Sequence, residues 1–110
     1  MYVAYCTDYT DGRAMPQRVA HLDAHLRYIE SILDRLAVAG PTRDAHGVVN
    51  GSVLIYRVSS AEEARRLIED DPYSKVPIWE TIDIRPFAAV VGDWVGGKRW
   101  GNPEDILRQQ

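Results

Sequence analysis

Two residues of this 110-residue chain, His25 and Asp71, have side chains and surroundings suited to acid–base chemistry. His25 lies on the edge of an apolar stripe at helical spacing, three residues after Leu22 and four before Ile29. A partly buried imidazole titrates near neutral pH, so it can both accept and donate a proton. Asp71 follows a predicted helix, and a carboxylate beside an imidazole can orient the ring and stabilise its charged form. Each residue also has a purely structural interpretation, as a satisfied core-edge histidine and as a turn-capping aspartate.

Other polar residues are candidates for binding a ligand or a metal ion. Arg18 precedes His25 by two helical turns and suits an anionic group, although an ion pair is an alternative. Ser52 and Tyr73 are candidates to line a pocket, with packing as the competing role. His21 and His25, at i and i+4, could share one metal ion, but no His-Glu-x-x-His motif and no evident third ligand accompanies them. We therefore predict neither a metal site nor a cofactor.

Composition excludes several classes of protein. A formal net charge of -3 with mixed signs gives no electrostatic reason to expect nucleic-acid binding. The single cysteine, Cys6, cannot form an intrachain disulfide and is expected to be a small buried hydrophobe. No apolar run is long enough to cross a bilayer, and no targeting segment is evident, so a cytoplasmic location without membrane contact is predicted.

The elements that must position these residues follow from hydrophobic periodicity and from turn signals. In order, we predict a strand over residues 2–7, a long helix from about 15 to 37, a central strand over 51–58, a helix capped by Ser60 and ending near Asp70, and a strand over 81–91. A weak additional strand is expected at Val38–Ala39 or Val48–Val49. A short helix should begin at Asn102-Pro103, inside an extension over 92–110 that follows the main domain of residues 1–91.

This order fits an α+β fold, a ferredoxin-like βαββαβ unit whose antiparallel sheet has both helices on one face. The apolar stripe of the long helix should then face the interior, and the other face of the sheet should be apolar and uncovered. An apolar face that wide is expected to be covered by a second copy of the chain, giving a homodimer.

Several short blocks of the sequence resemble those of the YciI-like (YCII-related) family over about residues 2–90. The blocks are His25-Leu26, Tyr28-Ile29, Gly40-Pro41, Gly51-Ser52, Ser60 with Glu62-Glu63-Ala64, Asp71-Pro72-Tyr73 and Ile84-Arg85-Pro86-Phe87. The resemblance implies a dimeric α/β barrel built from two ferredoxin-like subunits. It also implies a pocket in which His25 and Asp71 act together as an active-site pair.

Two functions from different classes follow. The first is a cofactor-free enzyme of the lyase or isomerase type, in which His25 transfers a proton on a small molecule while Asp71 orients the imidazole. The alternative is a dimeric small-molecule binding protein in which the same pair holds a ligand without catalysis.

Overall fold

The computed structural model describes residues 1–108. The main elements are β1 (Tyr2–Asp8), α1 (Ala14–Ala20), α2 (Leu22–Ser31), β2 (Leu36–Arg43), β3 (Val49–Tyr56), α3 (Ala61–Glu69) and β4 (Trp79–Pro86). The four strands form one antiparallel sheet in the order β2-β3-β1-β4. This is the predicted α+β, ferredoxin-like arrangement, with β1 and β3 in the centre.

The core lies between one face of the sheet and the helices. Strand side chains alternate between faces, so Ala4 and Cys6 of β1 share a buried layer with Leu54 and Tyr56 of β3. The helices and the residue that follows α2 contribute a second set of buried apolar side chains to the same cluster, namely Ala14, Ala64, Leu67 and Ile68 from the helices and Ile32 after α2. The predicted role of Cys6 as a buried free thiol is confirmed.

The predicted long helix over 15–37 was wrong in its continuity and in its end. The backbone leaves the helical region at His21 (φ -111°, ψ 11°), which separates α1 from α2. After Ile32 the chain forms only a short 3-10 helix, Leu33–Arg35, and Leu36 already has extended dihedral angles. Sheet pairing between β2 and β3 therefore prevails over the helical periodicity of the leucines.

The apolar stripe was also predicted to face the interior, and this was wrong for three of its leucines. Leu22, Leu26 and Leu33 are 48%, 47% and 63% exposed. No residue of α2 is fully buried, although Tyr28 and Ile29 pack against the core. Leu22 and Leu26 instead form a half-exposed rim next to His25.

Gly40-Pro41 was predicted to end a helix, but it lies inside β2. Because β2 is at the edge of the sheet, a proline without an N–H can be accommodated there. The weak second strand expected at Val38–Ala39 is thus an eight-residue strand, and Val49 begins β3.

The helix predicted to follow Ser60 is present as α3. The Ser60 side chain accepts a hydrogen bond from the Glu63 backbone N–H, which satisfies a free donor of the first turn. Its inward residues Ala64, Leu67 and Ile68 are buried. Helix α3 ends at Glu69, two residues before Asp71.

The chain after β4 forms an arm with little packing of its own. It contains the two-residue strands β5 (Val91–Gly92) and β6 (Gly97–Lys98), and a 3-10 helix, Pro103–Arg108, where a short helix was predicted. Trp94 is 78% exposed. Over residues 1–108, no helix is long and apolar enough to cross a membrane, and the cytoplasmic location stays a prediction. The division of the chain at residue 91 likewise stays a prediction.

Candidate active site

The structure brings His25 and Asp71 together, although 45 residues separate them in the chain. His25 Nδ1 lies 2.7 Å from Asp71 Oδ1, a charge-assisted hydrogen-bond distance. The Asp71 side chain is completely buried and that of His25 is 15% exposed. One ring nitrogen of His25 is thus held by a carboxylate, while the ring retains access to solvent.

Asp71 is fixed by the turn that follows α3. Its Oδ1 also accepts a hydrogen bond from the Tyr73 backbone N–H at 2.9 Å, so the aspartate caps the 3-10 helix Pro72–Lys75. The turn-capping role and the histidine-orienting role are therefore compatible, because one oxygen atom performs both. The second oxygen, Oδ2, is buried without a hydrogen-bond partner.

Tyr73 forms the floor under the imidazole. Its ring stacks on that of His25 with centroids 3.9 Å apart and planes 4° from parallel. Its hydroxyl donates a hydrogen bond to the Arg18 backbone carbonyl at 2.8 Å, and burial raises the pKa of this phenol. A buried ring anchored at its far end restricts the imidazole to one plane, so the orientation of His25 is fixed by both contacts.

Arg18 lies at the polar end of the site, buried and held by several acceptors. Its Nε and Nη2 contact the two carboxylate oxygens of Asp8 at 2.8 and 2.9 Å, in a bidentate pair. Nη2 also donates to the Gly51 carbonyl and to Ser52 Oγ, both at 3.0 Å. Because Asp8 neutralises the guanidinium, Arg18 presents a fixed donor framework rather than an open cationic patch.

Asp8 and Trp79 are two site residues that sequence reasoning missed. Asp8 continues the inward alternation of Ala4 and Cys6 along β1, which was a usable signal. Trp79 begins β4 opposite Asp8, where the pairing register shifts, and its ring meets that of Tyr73 edge-on at 5.9 Å. No pattern in the sequence marked Trp79, because its place depends on that shift.

Gly51, whose carbonyl accepts a hydrogen bond from Arg18, lies at a close approach of the strands. A Cβ at this position would clash with the Cys6 carbonyl oxygen and lie 2.8 Å from Thr42 Oγ1. Glycine thus permits the close approach of the strands and keeps its own carbonyl available to Arg18.

A cavity of about 230 Å³ opens beside these side chains. Its polar end is formed by Arg18, His25 and Ser52, and its other lining residues are Leu22, Leu26, Ile29, Ala39, Gly40, Pro41, Leu54, Tyr73 and Trp79. All five predicted site residues except Asp71 line it, and Asp71 stands behind His25. The cavity combines an apolar wall with a few fixed polar groups, as small-molecule sites do.

The metal alternative gains no support. Within residues 1–108, no three His, Cys, Asp or Glu side chains lie together so that they could hold a metal ion. His21 lies at the break between α1 and α2, and His25 is engaged by Asp71.

Comparison with known proteins places the chain in a family. Residues 1–88 match the YCII-related domain. The chain belongs to the YCII-related family. It is 30% identical over 98 residues to Protein YciI of Escherichia coli O6:H1 and, equally, to that of Shigella flexneri, covering 82% of this chain and 98% of each relative. The resemblance inferred from the sequence blocks is thereby confirmed.

A solved structure extends the comparison to an enzyme. The YCII-related chain is similar to 5-chloro-2-hydroxyhydroquinone dehydrochlorinase from Burkholderia phenoliruptrix AC1100, in complex with 2,5-dihydroxybenzoquinone. The TM-score is 0.71 at 25% identity, over 84% of this chain and 95% of that one. The similarity supports the ferredoxin-like fold, and the arm after residue 88 lies outside the family match.

Proposed function

We propose that this YCII-related protein is a cofactor-free enzyme of the lyase type, in which His25 transfers a proton on a small oxygen-bearing ring. The observation that carries the proposal is the 2.7 Å contact between His25 Nδ1 and the buried Asp71 carboxylate beside a cavity. A structural pairing alone would not require the imidazole to line an open space.

The contact favours one ring nitrogen of His25 as the reactive one. A carboxylate accepts hydrogen bonds, so neutral His25 carries its proton on Nδ1 and its lone pair on Nε2. Nε2 is then the general base. After it takes a proton, the imidazolium is stabilised by Asp71 and oriented by the Tyr73 ring, and can return the proton as an acid.

The cavity suits a planar ring with oxygen substituents. Leu22, Leu26 and Leu54 offer apolar surface, while Ser52 Oγ and the Arg18 guanidinium offer fixed polar atoms at one end. The dehydrochlorinase with the similar fold takes a chlorinated trihydroxybenzene. On such a ring, His25 would remove one hydroxyl proton and deliver it to the chlorine-bearing carbon as the first carbonyl forms. Loss of a second hydroxyl proton would then form the second carbonyl while chloride leaves that carbon, so that a hydroxyquinone and HCl are released.

We also propose that the protein works as a homodimer in which two sheets face each other in a barrel. The face away from the helices presents Val3, Val53 and the half-exposed Tyr5 in its centre. An apolar surface in the middle of a sheet is stabilised when a second copy covers it. Sedimentation of a monomer at micromolar concentration would contradict this arrangement.

The catalytic proposal is tested by binding and conversion of two defined rings. Calorimetry should show that 2,5-dihydroxybenzoquinone binds, and chromatography should show that 5-chloro-2-hydroxyhydroquinone is consumed faster with enzyme than without. Binding of both rings without conversion of the chlorinated one would favour the alternative, a small-molecule binding protein. Binding of neither would refute the proposed substrate class.

A further inference from the structure

The Ser52 hydroxyl accepts a hydrogen bond from the protein but does not pass its own proton to it. Ser52 lies in the central strand β3 and is 7% exposed. Its Oγ accepts a hydrogen bond from Arg18 Nη2 at 3.0 Å. A serine hydroxyl has one proton to donate besides its acceptor lone pairs. Among residues 1–108, no side chain or backbone carbonyl accepts that proton, so Ser52 keeps one donor unused.

This unused donor lies at the polar end of the cavity. Ser52 and Arg18 both line the cavity, and within residues 1–108 no Asp or Glu lines it. The neighbouring Leu22, Leu26 and Leu54 side chains cannot accept a hydrogen bond. A buried hydroxyl is stabilised when its proton is paired. A ligand that fills the cavity is therefore bound best when it places an acceptor against Ser52.

Arg18 fixes the Ser52 oxygen and strengthens its O–H as a donor. A hydrogen bond donated to Oγ polarises the hydroxyl, so the O–H in turn donates more strongly. Arg18 is itself held by the bidentate pair with Asp8, at 2.8 and 2.9 Å. The four hydrogen bonds of Arg18 start from Nε and Nη2, so Nη1 can add a second donor at the same end.

We propose that Ser52 is a specificity-determining residue, whose hydroxyl donates a hydrogen bond to a ligand oxygen that carries no proton. In combination with the proposed function, on which this role rests, the cavity then recognises two different oxygens. His25 takes a proton from a hydroxyl, whereas Ser52 binds a carbonyl or phenolate oxygen. The substrate class that meets both requirements is a ring in which a hydroxyl is conjugated with such an acceptor oxygen.

This arrangement also favours the forms that a ring reaches as it loses protons. A hydrogen bond to a charged oxygen is stronger than one to a neutral hydroxyl. Negative charge that leaves the hydroxyl at His25 can spread through the conjugated ring to the oxygen at Ser52. The Ser52 bond therefore strengthens as proton transfer proceeds, which is how a fixed donor assists a reaction.

The test compares two rings with the same carbon–oxygen framework, 2,5-dihydroxybenzoquinone and 1,2,4,5-tetrahydroxybenzene, which carries hydroxyls in place of the carbonyls. Affinities are measured by calorimetry without oxygen, so that the second ring is not oxidised. Ser52→Ala should weaken binding of the quinone by about 10- to 100-fold, the effect of losing a hydrogen bond to a charged group. The tetrahydroxybenzene should lose only about 2- to 10-fold. The preference for the quinone should therefore fall in the variant.

A purely structural role gives a different result. Ser52→Ala also removes one acceptor of Arg18, and if that were its only effect, both affinities would fall by the same factor. Equal factors, no change for either ring, or no binding of the quinone by the wild type would overturn the proposal. Ser60→Ala is the matched control, since the Ser60 hydroxyl caps α3 and does not line the cavity. That variant should lose thermal stability while both affinities stay unchanged.

A second measurement needs no variant and applies even if Ser52→Ala does not fold. A crystal structure of the wild-type protein with 2,5-dihydroxybenzoquinone should place Ser52 Oγ about 2.5–3.0 Å from a ring oxygen. A ring with no oxygen at Ser52 would overturn the inference. Neither experiment requires turnover, so a failure to release chloride from the chlorinated ring would refute the proposed function and leave the role of Ser52 in binding to be decided by these results.

Discussion

Replacement of Asp8 by asparagine is expected to destabilise the protein strongly, because it leaves the Arg18 charge buried without a counter-ion. Arg18 and Asp8 are 9% and 4% exposed and form a bidentate pair. Breaking a buried ion pair by removing one partner costs about 3–5 kcal/mol. Arg18 keeps its bonds to Gly51 and Ser52, so we expect the lower end of that range, about 3 kcal/mol.

The expected change in melting temperature follows from chain length. With an unfolding entropy of about 2.1 cal/mol/K per residue, the chain of 110 residues has roughly 230 cal/mol/K, so each 1 kcal/mol lowers the midpoint by roughly 4 °C. Asp8→Asn should therefore melt about 13 °C below the wild type, as measured by circular dichroism.

The chain offers a matched control in Asp11→Asn. Asp11 also pairs with an arginine, Arg13, but the two side chains are 50% and 52% exposed. Exposed pairs of this kind contribute little, so the midpoint should hardly move. The double variant Asp8→Asn, Arg18→Met removes both charges. Its loss in free energy of unfolding should be smaller than the sum of the losses in the two single variants by about 1 kcal/mol or more, because no uncompensated charge is left buried. An Asp8→Asn variant no less stable than Asp11→Asn would refute this account of Arg18.

Three further predictions concern the site and its supports. Asp71→Asn keeps the shape of the side chain but removes the charge that stabilises an imidazolium, so turnover should fall about 10²–10⁴-fold while the ring ligand still binds in calorimetry. Burial raises the pKa of Cys6 from 9.0 to about 12, so the thiol ionises first in the unfolded chain, and stability should be lost as pH rises from 9 towards 12. Cys6→Ala should flatten this part of a plot of melting midpoint against pH. The same slope in the variant and the wild type would contradict the assignment. Gly51→Ala should lower the free energy of unfolding in urea by about 1–3 kcal/mol, because the added carbon meets the Cys6 carbonyl. Gly40→Ala, with open space around it, should be nearly neutral. Equal effects of the two substitutions would argue against the close approach of the strands at Gly51.

The fold and the central pair could be predicted because local signals agreed with tertiary structure there. Ser60 followed by Glu63 specified where α3 begins, and Asp71-Pro72 specified where the turn after it lies. The sequence blocks around His25 and Asp71 linked two distant residues that periodicity alone could not have paired.

The errors occurred where long-range pairing decided the structure. Leu33 and Leu36 continue a helical spacing, but Leu36 pairs with Tyr56 as part of an edge strand. Asp8 and Trp79 enter the site through the pairing of β1 with β4 and a register shift. The alternation of β1 was a usable signal for Asp8. The pairing of Leu36 and the place of Trp79 leave no mark on the local sequence, since both depend on which strand lies beside which.

The most direct test of the central claim is the initial rate of chloride release from 5-chloro-2-hydroxyhydroquinone, measured by ion chromatography with wild-type protein and with His25→Gln. His46→Gln is the control, because His46 lies exposed in the loop between β2 and β3. The account predicts release by the wild type and by His46→Gln, and a loss of about 10²-fold or more in a folded His25→Gln variant. Equal rates for His25→Gln and the wild type would contradict the assignment of proton transfer to His25.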